Sequence, residues 1–119
     1  MIYHLTSPIE WQMAQQAGHY SAPSLDSEGF IHCSSKEQVV TVANTFYSHT
    51  VELVLLCIEE DKLDAMLKWE APAHPDGTPV DESDTQQFPH VYGIINLESV
   101  VAFWQMPKEG DTYQLPAEL

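Results

Sequence analysis

Seven residues near the middle of the chain, Glu52 to Ile58 (ELVLLCI), form an almost unbroken apolar run. A strand with one wet face would show a polar residue at every second position, and a helix buried on all sides would need a longer run. The run therefore predicts a strand covered on both faces, at the centre of a sheet. A chain of 119 residues has material for one well-buried centre and not two. The expectation is a single domain over 1–119, with residues 107–119 a loosely attached tail because Gly110 and Pro116 interrupt any pattern there.

Punctuation around the run sets the other elements. Ile2 to Thr6 reads as a strand. Ser7-Pro8-Ile9-Glu10 then supplies a capping serine, a proline at the first helical position and a glutamate three residues after the serine. A helix follows to Ala17, with Gly18 as its stop. Residues 19–28 (HYSAPSLDSE) carry few apolar positions and read as a surface loop ending at Gly29. Phe30 to Cys33 predicts a strand, and Ser34-Ser35-Lys36-Glu37 opens a second helix whose stripe is Val39, Val42, Ala43 and Phe46. After the central run come a short helical turn through Lys62 to Ala65 and a strand at Met66 to Ala71. Residues 72–87, rich in Pro and acids, read as a long loop or lid. Phe88 to Ile95 reads as a strand that Pro89 confines to an edge or to its first residue. Asn96 to Ser99 makes a turn, and Val100 to Met106 closes the sheet. Two main helices and strands in irregular alternation predict an α+β fold with a mixed, mostly antiparallel sheet.

Charge excludes several functions. Eighteen Asp and Glu face four Lys and no Arg, a formal charge of −14. Nucleic-acid recognition draws on cations to displace counterions and on the guanidinium fork, so this surface repels phosphate backbones. Anionic membranes are disfavoured for the same reason. Met1 to Thr6 shows no basic leader, and Cys33 and Cys57 lie in apolar runs without disulfide-type spacing, so the expected setting is the reducing cytoplasm. Isolated glycines provide no phosphate-cradling loop.

Chemistry is concentrated in histidine. Of six His, His19, His49 and His74 fall in expected loops, where solvent satisfies them. His4, His32 and His90 fall on expected strands. Period-two geometry puts His32 on one face with Phe30 and Ser34, His90 with Tyr92, and His4 with Thr6, while Cys33 points the other way. Three strand-borne imidazoles beside hydroxyl groups can line one cleft and move protons near neutral pH. The candidate catalytic residues are His4, His32 and His90; the candidate substrate-binding residues are Ser34, Tyr92 and Glu70. Glu70, between Trp69 and Ala71 at a strand end, and Glu28 are the candidate carboxylates. No metal-ligand spacing is present, and Cys33 lacks a His on its own face to activate it. A second reading takes the acidic face as a dock for a basic protein, with structural histidines.

The strings IYHLT, EGFIHCSS, VELVLLCIE, LKWE and FPHVYGIINLESVV closely resemble a small bacterial family, domain of unknown function 952. That family in turn resembles the ADP-ribosyltransferase superfold, in which an early strand carries a His, a middle strand a Tyr and a late strand a Glu. The resemblance implies that His4 takes the early position, His32 the middle one, and His90 or Glu70 the third. It further implies an enzyme-like cleft for NAD or another ribosyl nucleotide, with transferase or glycohydrolase chemistry. His4 would then meet a ribose hydroxyl, and Tyr92 would stack on a base.

Overall fold

The computed structural model describes residues 1–81 and 83–119. In chain order the elements are β1 (Ile2–Thr6), α1 (Pro8–Ala17), β2 (His19–Tyr20), α2 (Pro23–Glu28), β3 (Ile31–His32), α3 (Lys36–Phe46), β4 (Val54–Ile58), β5 (Met66–Glu70), β6 (Phe88–Tyr92), β7 (Ile95–Asn96), β8 (Val100–Gln105), β9 (Lys108–Glu109) and β10 (Thr112–Tyr113). Single 3-10 turns occupy Glu60–Lys62 and Leu97–Ser99. The fold is α+β, and every strand pair is antiparallel. Among the described residues no helix is long and apolar enough to cross a membrane.

The apolar run does what its composition requires. β4 is the middle strand of a three-stranded sheet in the order β1, β4, β8, and all five of its residues are buried. Alternate residues feed two cores. Val54, Leu56 and Ile58 share one face with Ile2, Trp11, Tyr20, Ile31, Val91 and Ile95. Leu55 and Cys57 share the other with Tyr3, Leu5, Val39, Ala43, Met106 and Tyr113. Full burial of one such aliphatic side chain contributes roughly 1.5–3 kcal/mol, so this strand anchors both halves of the molecule.

The expected single sheet is two three-stranded sheets and two two-stranded ribbons, β2 with β7 and β9 with β10. The second three-stranded sheet has the order β3, β6, β5 and turns its Ile31, Cys33, Val91 and Leu67 face onto the first core. Its other face carries Phe30, His32, His90, Tyr92 and Glu70, and this is where the polar chemistry collects. A pair of reciprocal backbone hydrogen bonds between Tyr3 and Ser34, each 2.8 Å, ties the end of β3 to β1 of the first sheet.

Four expectations need correction. Residues 19–28 are not a loop: β2 pairs with β7, and α2 follows, started by Pro23 and ended by Gly29 at φ +87°. Their polar composition hid Leu25, which packs on the first core. β6 is a middle strand and not an edge, and Pro89 is its second residue. Pro89 lacks an N–H and offers only its carbonyl, which accepts from Cys33 N at 3.0 Å; β3 ends at the neighbouring His32. The 3-10 turn comes at Glu60–Lys62, ahead of the expected Lys62 to Ala65. The tail is pinned and not loose: β9 and β10 form a hairpin, Tyr113 is buried in the second core, and Asn44 of α3 both donates to and accepts from its backbone. Within the expected loop 72–87 the described residues form no helix or strand, and residue 82 lies outside the described residues.

Candidate functional site

β3 and β6 pair in register, His32 opposite His90, and β5 places Lys68 opposite His90 on the other side. The two imidazoles therefore project from adjacent strands on the same face, with ring centroids 5.9 Å apart and nearly perpendicular planes. Phe30 stacks on His90 at 4.1 Å and meets His32 edge-on at 4.9 Å. It fixes both rings. Sequence reasoning placed Phe30 on this face but gave it no role.

Each imidazole has a carboxylate behind it. Glu28 at the end of α2 lies 2.6 Å from His32 Nε2, and Glu70 at the end of β5 lies 2.9 Å from His90 Nδ1. The Tyr92 hydroxyl also donates to Glu70 Oε1. His90 and Glu70, the two alternatives for one site position, are thus a hydrogen-bonded pair. The Tyr92 hydroxyl, and after it His90, hold the Glu70 carboxyl below the usual range, and the same contact raises the Tyr92 phenol. Burial lowers the His90 ring, opposed by its bond to Glu70. A neutral His90 that donates Nδ1–H to Glu70 keeps its Nε2 lone pair free, the arrangement of an oriented general base.

His4 lies behind this pair. Its Nδ1 donates to the His32 carbonyl at 2.5 Å, and its Nε2 is 2.8 Å from the Tyr20 hydroxyl. The line continues from Tyr20 to Thr6 Oγ1 at 3.0 Å, and from Thr6 to Glu10 Oε2 at 3.0 Å. Burial holds the His4 ring down to about 4, so at neutral pH it is uncharged. Both its nitrogens are engaged inside the protein, and its evident work is to position β3 and not to meet a ribose hydroxyl. The line has four contacts between two acceptors, the His32 carbonyl and the Glu10 carboxylate. A neutral imidazole, a phenol and a threonine hydroxyl bring three hydrogens. One contact is short of a hydrogen unless a further proton enters.

Two cavities adjoin these groups. One of about 340 Å³ lies between the second sheet, α3 and the 72–87 segment, and is lined by His32, Ser34, His74, Phe88 and His90 among others. The other, about 370 Å³, is lined by His4, Thr6, Glu10, Tyr20 and Tyr47. His32 and Pro75 line both, so the two meet at His32. Either volume suits a small ligand.

The structure therefore brings together His4, His32, His90, Ser34 and Glu70. Tyr92 joins them through Glu70: its hydroxyl donates to the carboxylate that holds His90, and its ring, 5.6 Å from Phe30, lies under the Lys68 ammonium at 5.0 Å. His19 and His49 are exposed, as expected of them. His74, expected to be solvated, packs on Phe46 at 5.2 Å and lines the first cavity. Cys33 is buried, and burial raises its thiol far above the thiolate-forming range, in keeping with an inert core residue. Tyr20 and Glu10 escaped sequence reasoning because Tyr20 stood in a presumed loop and Glu10 read only as a helix cap. Among the described residues no group of three or more His, Cys, Asp or Glu is placed to hold a metal ion.

An α+β chain of two antiparallel three-stranded sheets with a histidine-lined cleft is the class that these observations define. Residues 5–103 match the family described as protein of unknown function DUF952, and the chain belongs to that family. It is similar to protein CC0527 from Caulobacter crescentus. The crystal structure of that protein is 29% identical, with a TM-score of 0.80 over 98% of this chain and 96% of that one. Its solution NMR structure is 30% identical, with a TM-score of 0.75 over 99% and 95%. The crystal structure of a double mutant of the same protein is 28% identical, with a TM-score of 0.79 over 98% and 96%. No curated protein matches. These comparisons establish the family and the fold; a likeness to ADP-ribosyltransferases is not among what they show.

Proposed function

We propose that the chain is an enzyme that acts on NAD or another ribosyl-bearing small molecule in the cleft at His32 and His90, by glycohydrolase or transferase chemistry. One observation carries the reading: two imidazoles 5.9 Å apart, each backed by its own carboxylate, open into a single cavity. Such pairs give oriented proton transfer, worth about 10²–10⁴ in rate. His90, neutral and oriented by Glu70, takes a proton from water or an acceptor hydroxyl. His32 and Ser34 offer hydrogen bonds to sugar hydroxyls. His4 and Tyr92 act one step back, holding the His32 backbone and the Glu70 carboxylate. The carboxylate set suits an oxocarbenium-like transition state, whose positive charge a nearby anionic pair stabilises.

Release of the base from NAD and from simpler ribosides, followed by liquid chromatography, tests this. Turnover that falls at least about a hundredfold in His90→Gln and in Glu70→Gln supports it. Neither turnover nor calorimetric binding of any ribosyl compound at millimolar concentration refutes it. The charge of −14 favours the second reading, a dock for a basic protein, and that reading stands if the cleft proves inert.

A further inference from the structure

Within the ribosyl reading, on which this step rests, the charge around the cleft narrows the substrate. Among the described residues, neither cavity is lined by a Lys, and the chain has no Arg. Two of the four Lys are already engaged. Lys108 donates to the Ser48 and Thr50 carbonyls, and Lys68 lies over Tyr92. The N-terminus of α3, the usual resting place for a phosphate beside a sheet, is partly covered by its own groups: Gln38 Oε1 accepts from Ser35 N, and the Ser35 carbonyl accepts from Gln38 N. Lys36 and Glu37 in that first turn offset each other, so it carries no net positive side-chain charge. The cavity walls carry Asp76 and Asp84, with Glu10 on the adjoining one. Asp76 is kept ionised by the Thr78 N–H and hydroxyl. Glu28 and Glu70 stand behind the two histidines. Apolar and aromatic surface, Phe46 and Phe88 with His74, completes the walls.

We infer that the cleft selects a cationic N-ribosyl compound without phosphate, a ribosylated pyridinium, over dinucleotides and nucleotides. A pyrophosphate in either cavity would meet lining carboxylates and no lining Lys. A pyridinium ring instead finds aromatic faces and anionic walls. The chemistry fits the same groups. The bond from ribose C1′ to the ring nitrogen breaks, and its electron pair goes to that nitrogen, so the ring leaves neutral and needs no proton. Water supplies the new bond to C1′ and gives its proton to His90 Nε2, which passes it to solvent. Substrate cation and water yield a neutral base, free ribose and one proton.

Calorimetry on the intact chain with nicotinamide riboside, its 5′-monophosphate and NAD separates the possibilities. The riboside is expected to bind at least about tenfold more tightly than NAD, with the monophosphate between. Its affinity falls as sodium chloride rises from about 20 to about 200 mM, because the attraction is screened. In the Asp76→Asn, Asp84→Asn double variant the preference for the riboside shrinks. NAD binding as tightly as the riboside, or more so, overturns the charge selection while leaving the ribosyl reading intact. Binding by none of the three overturns both.

Discussion

Replacing Tyr20 by Phe probes the hydrogen-bonded line behind the cleft with the least change of shape. Tyr20 is 1% exposed and its ring belongs to the first core. Phe fills the same volume, so the packing contribution stays. The hydroxyl goes, and with it the contacts to His4 Nε2 and Thr6 Oγ1. Thr6 keeps Glu10 as a partner, whereas His4 Nε2 loses the one partner it has in the protein. His4 is buried, so water does not replace the phenol without rearrangement. An orphaned buried polar atom costs about 1–3 kcal/mol. For a chain of this size that lowers the melting temperature by roughly 4 °C for each kcal/mol, and it moves the urea midpoint down by about 1 M for a typical slope. The assay is urea unfolding followed by tryptophan fluorescence, with thermal melts as a check. A loss below ~0.3 kcal/mol would mean that the phenol and the imidazole are not joined, and the positioning role given to His4 would go with it.

The remaining predictions concern charge, the tail and a turn. Glu10→Gln supplies the missing hydrogen to the Thr6 contact, so at pH 7 the variant is expected to match or exceed wild type, despite losing a first-turn carboxylate worth ~0.3–1 kcal/mol; a loss above ~1 kcal/mol in urea unfolding contradicts the hydrogen count. The folded-state value of His4, about 4, lies below its ordinary 6.5, so the unfolded chain binds more protons between these values. Stability is then full above pH 6.5 and falls as pH drops toward 4, by on the order of 3 kcal/mol. A ring-proton NMR titration in which His4 shows a midpoint at or above 6.5 rules this out. Tyr113→Ala removes a buried ring and its bonds from the second core, and costs about 3–5 kcal/mol; a change within ~0.5 kcal/mol, or unaltered resistance of residues 107–119 to protease, contradicts the pinned tail. Gly29→Ala forces a Cβ into φ +87° at roughly 1–2 kcal/mol, measurable by the same unfolding curves; an unaffected midpoint would show that α2 ends differently.

Local chemistry made the main elements readable. The Ser7-Pro8 start and Gly18 end of α1, and the apolar β4, follow from short-range rules, and each falls at or within two residues of its expected ends. Period-two alternation put His32 with Phe30 and Ser34, and His90 with Tyr92; that the two histidines share one face came from the β3 and β6 register. What lay outside reach depended on distant partners. No local signal says that Pro89 sits in a middle strand, because that depends on how early β3 stops. Nor does any say that Tyr113 returns to the second core, since a hairpin with one buried ring resembles a polar tail. The carboxylate partners Glu28 and Glu70 were visible as candidates, but their pairing with His32 and His90 needed the strand register. Tyr20 was lost because β2 and α2 are too short to show a period.

β3 consists of two residues, yet three separate structures grip it: β6 along its edge, β1 through the reciprocal Tyr3 and Ser34 bonds, and the His4 ring on the His32 carbonyl. It acts as a rivet through two plates. The two sheets cannot slide past each other there without breaking these contacts. A substitution in β1 that shifts His4 or Tyr3 therefore reaches His32 directly through these contacts, from a position behind the cleft.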